Sequence, residues 1–220
     1  MRRKQLLKLG SGAIAALAVA PVVERLWGQA VFAQSPLLSP KSPKPEFSRQ
    51  CGINMGSIDR IMTDGMTSDV QLLRLLKLNR APLHLYGDLP SIYREEAAIE
   101  GVNYDIAFCQ MCLETGFLQF GGDVKPEQNN FGGIGAIGNG VQGDRFSDRR
   151  IGVRAQIQHL KAYASAEPLV QTLVDPRFSL VQRGTAPLLG QLSGRWAEDI
   201  NYDKKIMAIL RRLYELSGFF

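Results

Sequence analysis

The chain is poor in the residues from which many active centres are built. It has two histidines, three cysteines and two tryptophans in 220 residues. His84 and His159 lie far apart and no metal-ligand spacing surrounds either, so the sequence offers no zinc set. No cofactor motif is present, no Ser/His/Asp arrangement is apparent, and no glycine-rich phosphate loop opens a helix. Cys51, Cys109 and Cys112 are an odd set and give no disulfide framework, although Cys51 has the option of bridging one of the other two. Cys109 and Cys112 have redox spacing but sit in a helical segment without a βαβ pattern, and read as small core residues. The only long apolar run, Leu9 to Val23, is too short for a comfortable membrane span, which needs about 20 residues.

That run has a different explanation. It follows a basic stretch (Arg2, Arg3, Lys4, Lys8) and precedes Ala30-Val31-Phe32-Ala33, with small residues where a signal peptidase reads. Residues 1–33 are therefore expected to be an export signal. Arg3-Lys4-Gln5-Leu6-Leu7-Lys8 resembles a twin-arginine signal, and an ordinary Sec signal is the alternative. The expected location is periplasm, cell wall or extracellular space. Without 1–33 the remainder carries 21 basic and 20 acidic residues, so the basic character is partly that of the signal and no nucleic-acid surface is implied. Residues 34–50 hold Pro36, Pro40, Pro43 and Pro45 and read as a linker. Residues 51–220 are long enough for one domain with its own core, expected as a monomer.

The domain reads as mainly α. Ser68-Asp69-Val70-Gln71 is a capping-box pattern before a leucine-rich segment. A second helix is expected over Ser91–Glu100, and Glu95, Glu96 and Glu100 read as its solvated face. Asn103 caps a third, with Ile106, Cys109 and Leu113 inward and Gly116 as its stop. A fourth runs from Arg149 to Ala164 and a last from Tyr202 to Ser217. Short helical pieces are expected near 179–182 and 185–192. Between the third and fourth helices, Gly121 to Gly143 holds eight glycines, which implies tight turns and a short β-hairpin insertion.

Glu114 is the residue best placed for chemistry. It lies at a helix C-terminus, where the macrodipole disfavours a carboxylate, and partial burial acts in the same direction. A carboxyl group that keeps its proton near neutral pH is what glycosidic cleavage asks of a general acid. Taken by spacing alone, a solvated helix-end acid is the other reading.

Three stretches carry a resemblance. Ala107–Phe117, ending Leu113-Glu114-Thr115-Gly116, resembles the "A-Q-x-x-L-E-[ST]-G" helix end of the glucosaminidase family of peptidoglycan hydrolases. Asn129-Asn130-Phe131-Gly132-Gly133-Ile134 is similar to its "N-N-x-F-G-I" turn with one extra residue. Trp196-Ala197 with Asn201–Ile206 resembles its C-terminal segment, and Tyr93–Ala98 also fits. The likeness covers about 90–220. It implies a lysozyme-like fold and an exported endo-β-N-acetylglucosaminidase that acts on peptidoglycan glycan strands. It implies Glu114 as general acid, Tyr202 beside the substrate's N-acetyl group, and Asn129, Asn130, Phe131, Gly132 and Ile134 lining the sugar subsites. The second carboxylate is expected among Asp144 and Asp148, with Asp144 preferred. Asp148 has a helix cap as its alternative role, and Asp144 a turn. Trp196 is more a core residue than a sugar platform. A lytic transglycosylase and a non-catalytic glycan-binding domain on the same fold remain alternative functions.

Overall fold

The computed structural model describes residues 58–136, 138 and 140–220. The expected export signal at 1–33, the linker at 34–50 and Cys51 lie outside the described residues. Among the described residues, six α-helices carry the fold: α1 (Asp69–Leu78), α2 (Leu83–Tyr86), α3 (Leu89–Glu100), α4 (Tyr104–Glu114), α5 (Arg149–Ala164) and α6 (Tyr202–Leu216). Short 3-10 turns occupy Pro126–Gln128, Phe178–Leu180 and Leu189–Gln191. No named strand occurs among the described residues. The glycine-rich stretch shows one isolated antiparallel bridge, Gly138 to Val141.

Helix starts follow local chemistry. The Ser68 side chain accepts from the Gln71 amide, and the Gln71 side chain returns to the Ser68 amide. Asn103 Oδ1 accepts from Asp105 N and Ile106 N at the head of α4. Asp148 does the same for α5, accepting from Ile151 N at 3.0 Å. Gly101 ends α3 in the left-handed conformation.

α4 is the hub. Every residue from Asp105 to Leu113 is buried, including Cys109 and Cys112, which are free thiols in the core. α4 packs on α6 and α3, and α3 packs in turn on α5. A buried carboxylate helps hold this arrangement. Asp105 receives Met66 N at 2.6 Å, the Thr67 hydroxyl and the Tyr214 hydroxyl, so α4 is tied to the approach to α1 and to α6. Leu72, Leu75 and Leu76 of α1 are fully buried, each contributing roughly 2 kcal/mol relative to exposure.

Two of the acids on α3 are not solvated. Glu96 and Glu100 are 1% and 2% exposed. Glu96 faces Arg150 and Arg154 of α5 at 2.8 Å each, and Glu100 faces Lys161 at 2.9 Å. Glu100 also accepts from Val170 N and Gln171 N, pinning the chain that leaves α5. Burial opposes ionisation of both acids, but these bonds more than offset it and hold their carboxyls below the usual range. Their cationic partners lie on another helix, so the helical wheel of α3 alone misassigned them.

The glycine-rich loop is laid directly on α5. A Cβ at Gly152 would stand 1.7 Å from the Asn129 carbonyl oxygen, so only glycine allows this contact. The loop thereby comes to lie over the C-terminal end of α4.

Candidate active site

Glu114 is the last residue of α4, and Tyr202 is the first of α6. The packing of these two helices brings their side chains together. The Tyr202 hydroxyl donates to Glu114 Oε1 at 2.5 Å and accepts from Gln110 Nε2 at 2.8 Å. Gln110 lies one turn before Glu114 on the same helix face. Trp196, from the segment preceding α6, also sets its indole beside Glu114. Its indole is edge-on to His159, with ring centroids 4.8 Å apart, and His159 is in turn held by Asp175 at 2.7 Å.

Burial is the dominant influence on Glu114. It leaves the carboxyl raised from 4.5 to about 7 against the opposing influence of the Tyr202 hydrogen bond and the nearby Trp196 indole. Burial also lifts the Tyr202 phenol well above its ordinary value, with the neighbouring Glu114 adding to the effect. The phenol is therefore neutral and remains a donor across the working range of pH. The site thus combines a carboxyl group balanced near neutrality with a neutral hydroxyl fixed against one of its oxygens.

The other oxygen faces the loop. A Cβ built on Gly133 would lie 2.8 Å from Glu114 Oε2, and Gly133 has φ +66°. The loop's shape is maintained from within. Asn130 is fully buried; its Oδ1 accepts from Ile134 N at 2.9 Å, and its Nδ2 donates to the carbonyls of Ile134 and Asp144 at 2.8 and 3.0 Å. Phe131 is also fully buried, edge-on to Tyr86. Asn129 donates to the Phe146 carbonyl at 3.1 Å. Gly132 abuts Gln156 of α5. Ile134 is 3% exposed, so the turn presents mainly backbone and Gly133 towards Glu114.

The two candidate second acids occupy different settings. Asp144 Oδ2 accepts from Arg177 Nε at 2.7 Å, with both side chains half-exposed. The pair stands against Gly135, two positions along the loop from Gly133. Asp148 is engaged as the cap of α5 and bonded to Ser147, which holds its carboxyl below the usual range.

Residues 90–215 match the glucosaminidase family, described as mannosyl-glycoprotein endo-beta-N-acetylglucosaminidase. The chain belongs to the glucosaminidase family. A Borreliella burgdorferi relative, described only as an uncharacterized protein, is 54% identical over 126 residues. That alignment covers 57% of this chain and 62% of the relative, so the chain spans under two thirds of that protein's length. A crystal structure of S. aureus autolysin E in complex with the muropeptide NAM-L-Ala-D-iGlu aligns at 17% identity with a TM-score of 0.47. It covers 73% of this chain and 72% of that one.

The glucosaminidase match includes Glu114, Tyr202 and the loop between them. Sequence reasoning did not find the roles of Gln110, Gln156, Trp196 and Arg177. One signal was available: Gln110 is an uncharged polar residue within a run that is otherwise core, one turn from Glu114. For Gln156 and Arg177 there was none, because both act on partners distant in sequence.

Proposed function

We propose that this glucosaminidase is an exported endo-β-N-acetylglucosaminidase. It cleaves the β-1,4 bond after N-acetylglucosamine in peptidoglycan, with Glu114 as its general acid. The observation that carries this reading is the Glu114 carboxyl, raised to about 7 and hydrogen-bonded to Tyr202 at the foot of a glycine-rich loop. Near neutral pH such a group is protonated for a large fraction of the time and loses its proton readily, as a general acid that later becomes a base must do.

The reaction is read as substrate-assisted. The 2-acetamido oxygen attacks its own anomeric carbon as Glu114 protonates the departing glycosidic oxygen. The bond from the anomeric carbon to that oxygen breaks, and the leaving sugar departs as an alcohol. The Glu114 carboxylate then takes a proton from water, whose oxygen attacks the anomeric carbon and reopens the cyclic intermediate. This differs from the two-carboxylate scheme, in which a second acid is the nucleophile, and it predicts retention at the anomeric carbon. The acetamido group is assigned to the space beside Tyr202. Of the second acids, Asp144 is favoured as the residue that stabilises charge on the acetamido nitrogen, since Asp148 is engaged as a helix cap. The sugar subsites are assigned to the turn of Asn129, Asn130, Phe131, Gly132 and Ile134. The buried Asn130 and Phe131 support the turn from below while its backbone meets the glycan.

Mass spectrometry of peptidoglycan digested by the purified chain, beside a Glu114→Gln control, tests the assignment. Fragments with reducing-end N-acetylglucosamine, absent from the control, are the expected result. Anhydro-muramyl ends would make the protein a lytic transglycosylase. Binding without release would make it a glycan-binding domain.

A further inference from the structure

Behind Glu114 lies a line of polar side chains that the core did not need. Tyr93, Gln156 and Gln110 are fully buried, and Tyr202 is 4% exposed. They form one continuous hydrogen-bonded chain. The Tyr93 hydroxyl donates to Gln156 Oε1 at 2.5 Å, and Gln156 Nε2 donates to Gln110 Oε1 at 2.8 Å. Gln110 Nε2 donates to the Tyr202 hydroxyl, which donates to Glu114 Oε1. The chain joins α3, α5, α4 and α6. Burying two carboxamides costs desolvation that an apolar residue of similar shape would avoid, and it leaves an expensive orphan if any link fails.

The direction of the whole chain follows from a single backbone carbonyl. Gln156 Nε2 also donates to Ala107 O at 3.0 Å. A carbonyl oxygen can only accept, so the NH2 end of Gln156 must face α4. The oxygen of Gln110 must then face Gln156, which turns the Gln110 NH2 group towards Tyr202. With one lone pair occupied by that donor, the Tyr202 hydroxyl directs its proton to Glu114 Oε1. A hydroxyl in place of either glutamine would be free to reverse; a carboxamide, with distinct donor and acceptor ends, is not.

We infer that Gln110 and Gln156 are positioning residues that fix Tyr202 as a donor to Glu114 Oε1 and thereby confine the acid's own proton to Oε2, beside Gly133. This inference rests on the reading of Glu114 as the general acid. Oε2 is the oxygen that faces the loop assigned to the glycan, so the proton is carried where a glycosidic oxygen would meet it. If the chain were released, the Tyr202 hydroxyl could accept instead. The Glu114 proton would then settle on Oε1, against Tyr202 and away from Gly133.

The groups around the chain are few. Tyr202 of α6 and the Trp196 indole face Glu114, Tyr163 of α5 lies near Tyr202, and Cys112 of α4 lies near Tyr93. The Asp144–Arg177 pair stands against Gly135 in the loop.

The test uses Gln110→Met and Gln156→Met, each near the original in shape, with Tyr202→Phe and Gln110→Met/Tyr202→Phe for comparison. The first readout is the Glu114 carboxyl carbon, followed by NMR across pH in protein labelled with 13C-glutamate. In the native chain it titrates near 7. In Gln110→Met the titration moves upward by roughly half to one pH unit, because Tyr202 now stabilises the protonated acid. The alkaline limb of the pH–rate profile moves with it, and kcat falls about tenfold with KM unchanged. Gln156→Met shifts both in the same direction by less, and it supplies the test if Gln110→Met does not fold. The Gln110→Met/Tyr202→Phe protein titrates like Tyr202→Phe alone, because Gln110 acts through Tyr202. An unshifted titration in folded Gln110→Met and Gln156→Met, or additive effects in the double variant, would overturn the inference. If the native chain releases no sugar, the glucosaminidase reading fails by itself, and the NMR titration still decides the hydrogen-bond chain.

Discussion

Tyr202 and Glu114 stand 88 positions apart in the chain and share one hydrogen bond of 2.5 Å, the first residue of one helix held against the last residue of another. Neither residue is unusual by itself. The contact exists because α4 is buried along nearly its whole length and α6 packs along it, so that the two helix ends meet beneath the Gly133 turn.

The raised Glu114 carboxyl has a cost in stability whose sign can be worked out. Unfolded, the group titrates near 4.5; folded, at about 7. Between those values the native state keeps a proton that the unfolded state has lost, so stability falls as pH rises through that window. Glu114→Gln removes this dependence and should unfold at a higher temperature than the native chain at pH 8, with little difference at pH 4. The gain at pH 8 is on the order of 2 kcal/mol, allowing for partial exposure. Paired thermal melts at the two pH values check this, and an equal offset at both would contradict the raised value. Activity of the same variant should fall by roughly 100-fold or more, the usual contribution of a general acid.

Gly133 should tolerate no side chain. Alanine there meets Glu114 Oε2 at 2.8 Å and must hold φ +66°. Strain in the left-handed region is expected to cost about 1 kcal/mol, and the displaced carboxyl should lower kcat further than stability alone explains. Urea titration beside steady-state kinetics at one temperature separates the two effects. Normal kcat in folded Gly133→Ala would show that Oε2 does not work on that side.

The two loop acids should part company. Asp148→Ala loses a cap and should cost about 1 kcal/mol in chemical unfolding while sparing kcat. Asp144→Asn keeps the shape of its half-exposed contact with Arg177, and it should change stability by under about 1 kcal/mol while lowering kcat. The reverse pattern would transfer the proposed second role from Asp144 to Asp148.

Glu100 and Lys161 are buried together, their side chains 0% and 3% exposed. Removing one partner strands the other, so Glu100→Gln should destabilise by about 3–5 kcal/mol. The pH dependence runs opposite to that of Glu114. The Glu100 carboxyl lies below its ordinary value when folded, so its contribution is present above the usual carboxylate range and is lost as pH falls. The hydrogen-exchange protection factors of the Val170 and Gln171 amides, both bonded to Glu100, should therefore fall on acidification more than those of other protected amides. Unchanged relative protection would count against this role.

Sequence reading succeeded where the chemistry is local. Ser68 and Asn103 cap helices whose first turns lie within three residues of them, and each was legible for that reason, whereas for Asp148 the cap was only the alternative to a role as second carboxylate. Glu114 stood out by its place at a helix end and by the motif around it. Glu96 and Glu100 were misread because paired and solvated glutamates look alike on one helix, while the cations that bury them come from α5. Phe131 was assigned by resemblance to the turn that lines the sugar subsites, and only the fold shows that its ring is buried edge-on to Tyr86.

The sequence alone therefore determined five of the six helices, most of their ends and the presence of an acid at the tip of α4, since propensity and capping depend on neighbours a few residues away; the short α2 was not expected. Tertiary structure decided what that acid is: its affinity for a proton, its bond to Tyr202 and the direction of the chain behind it. Desolvation and hydrogen-bond polarity depend on which distant groups close over a side chain, and here those groups come from four helices and one loop.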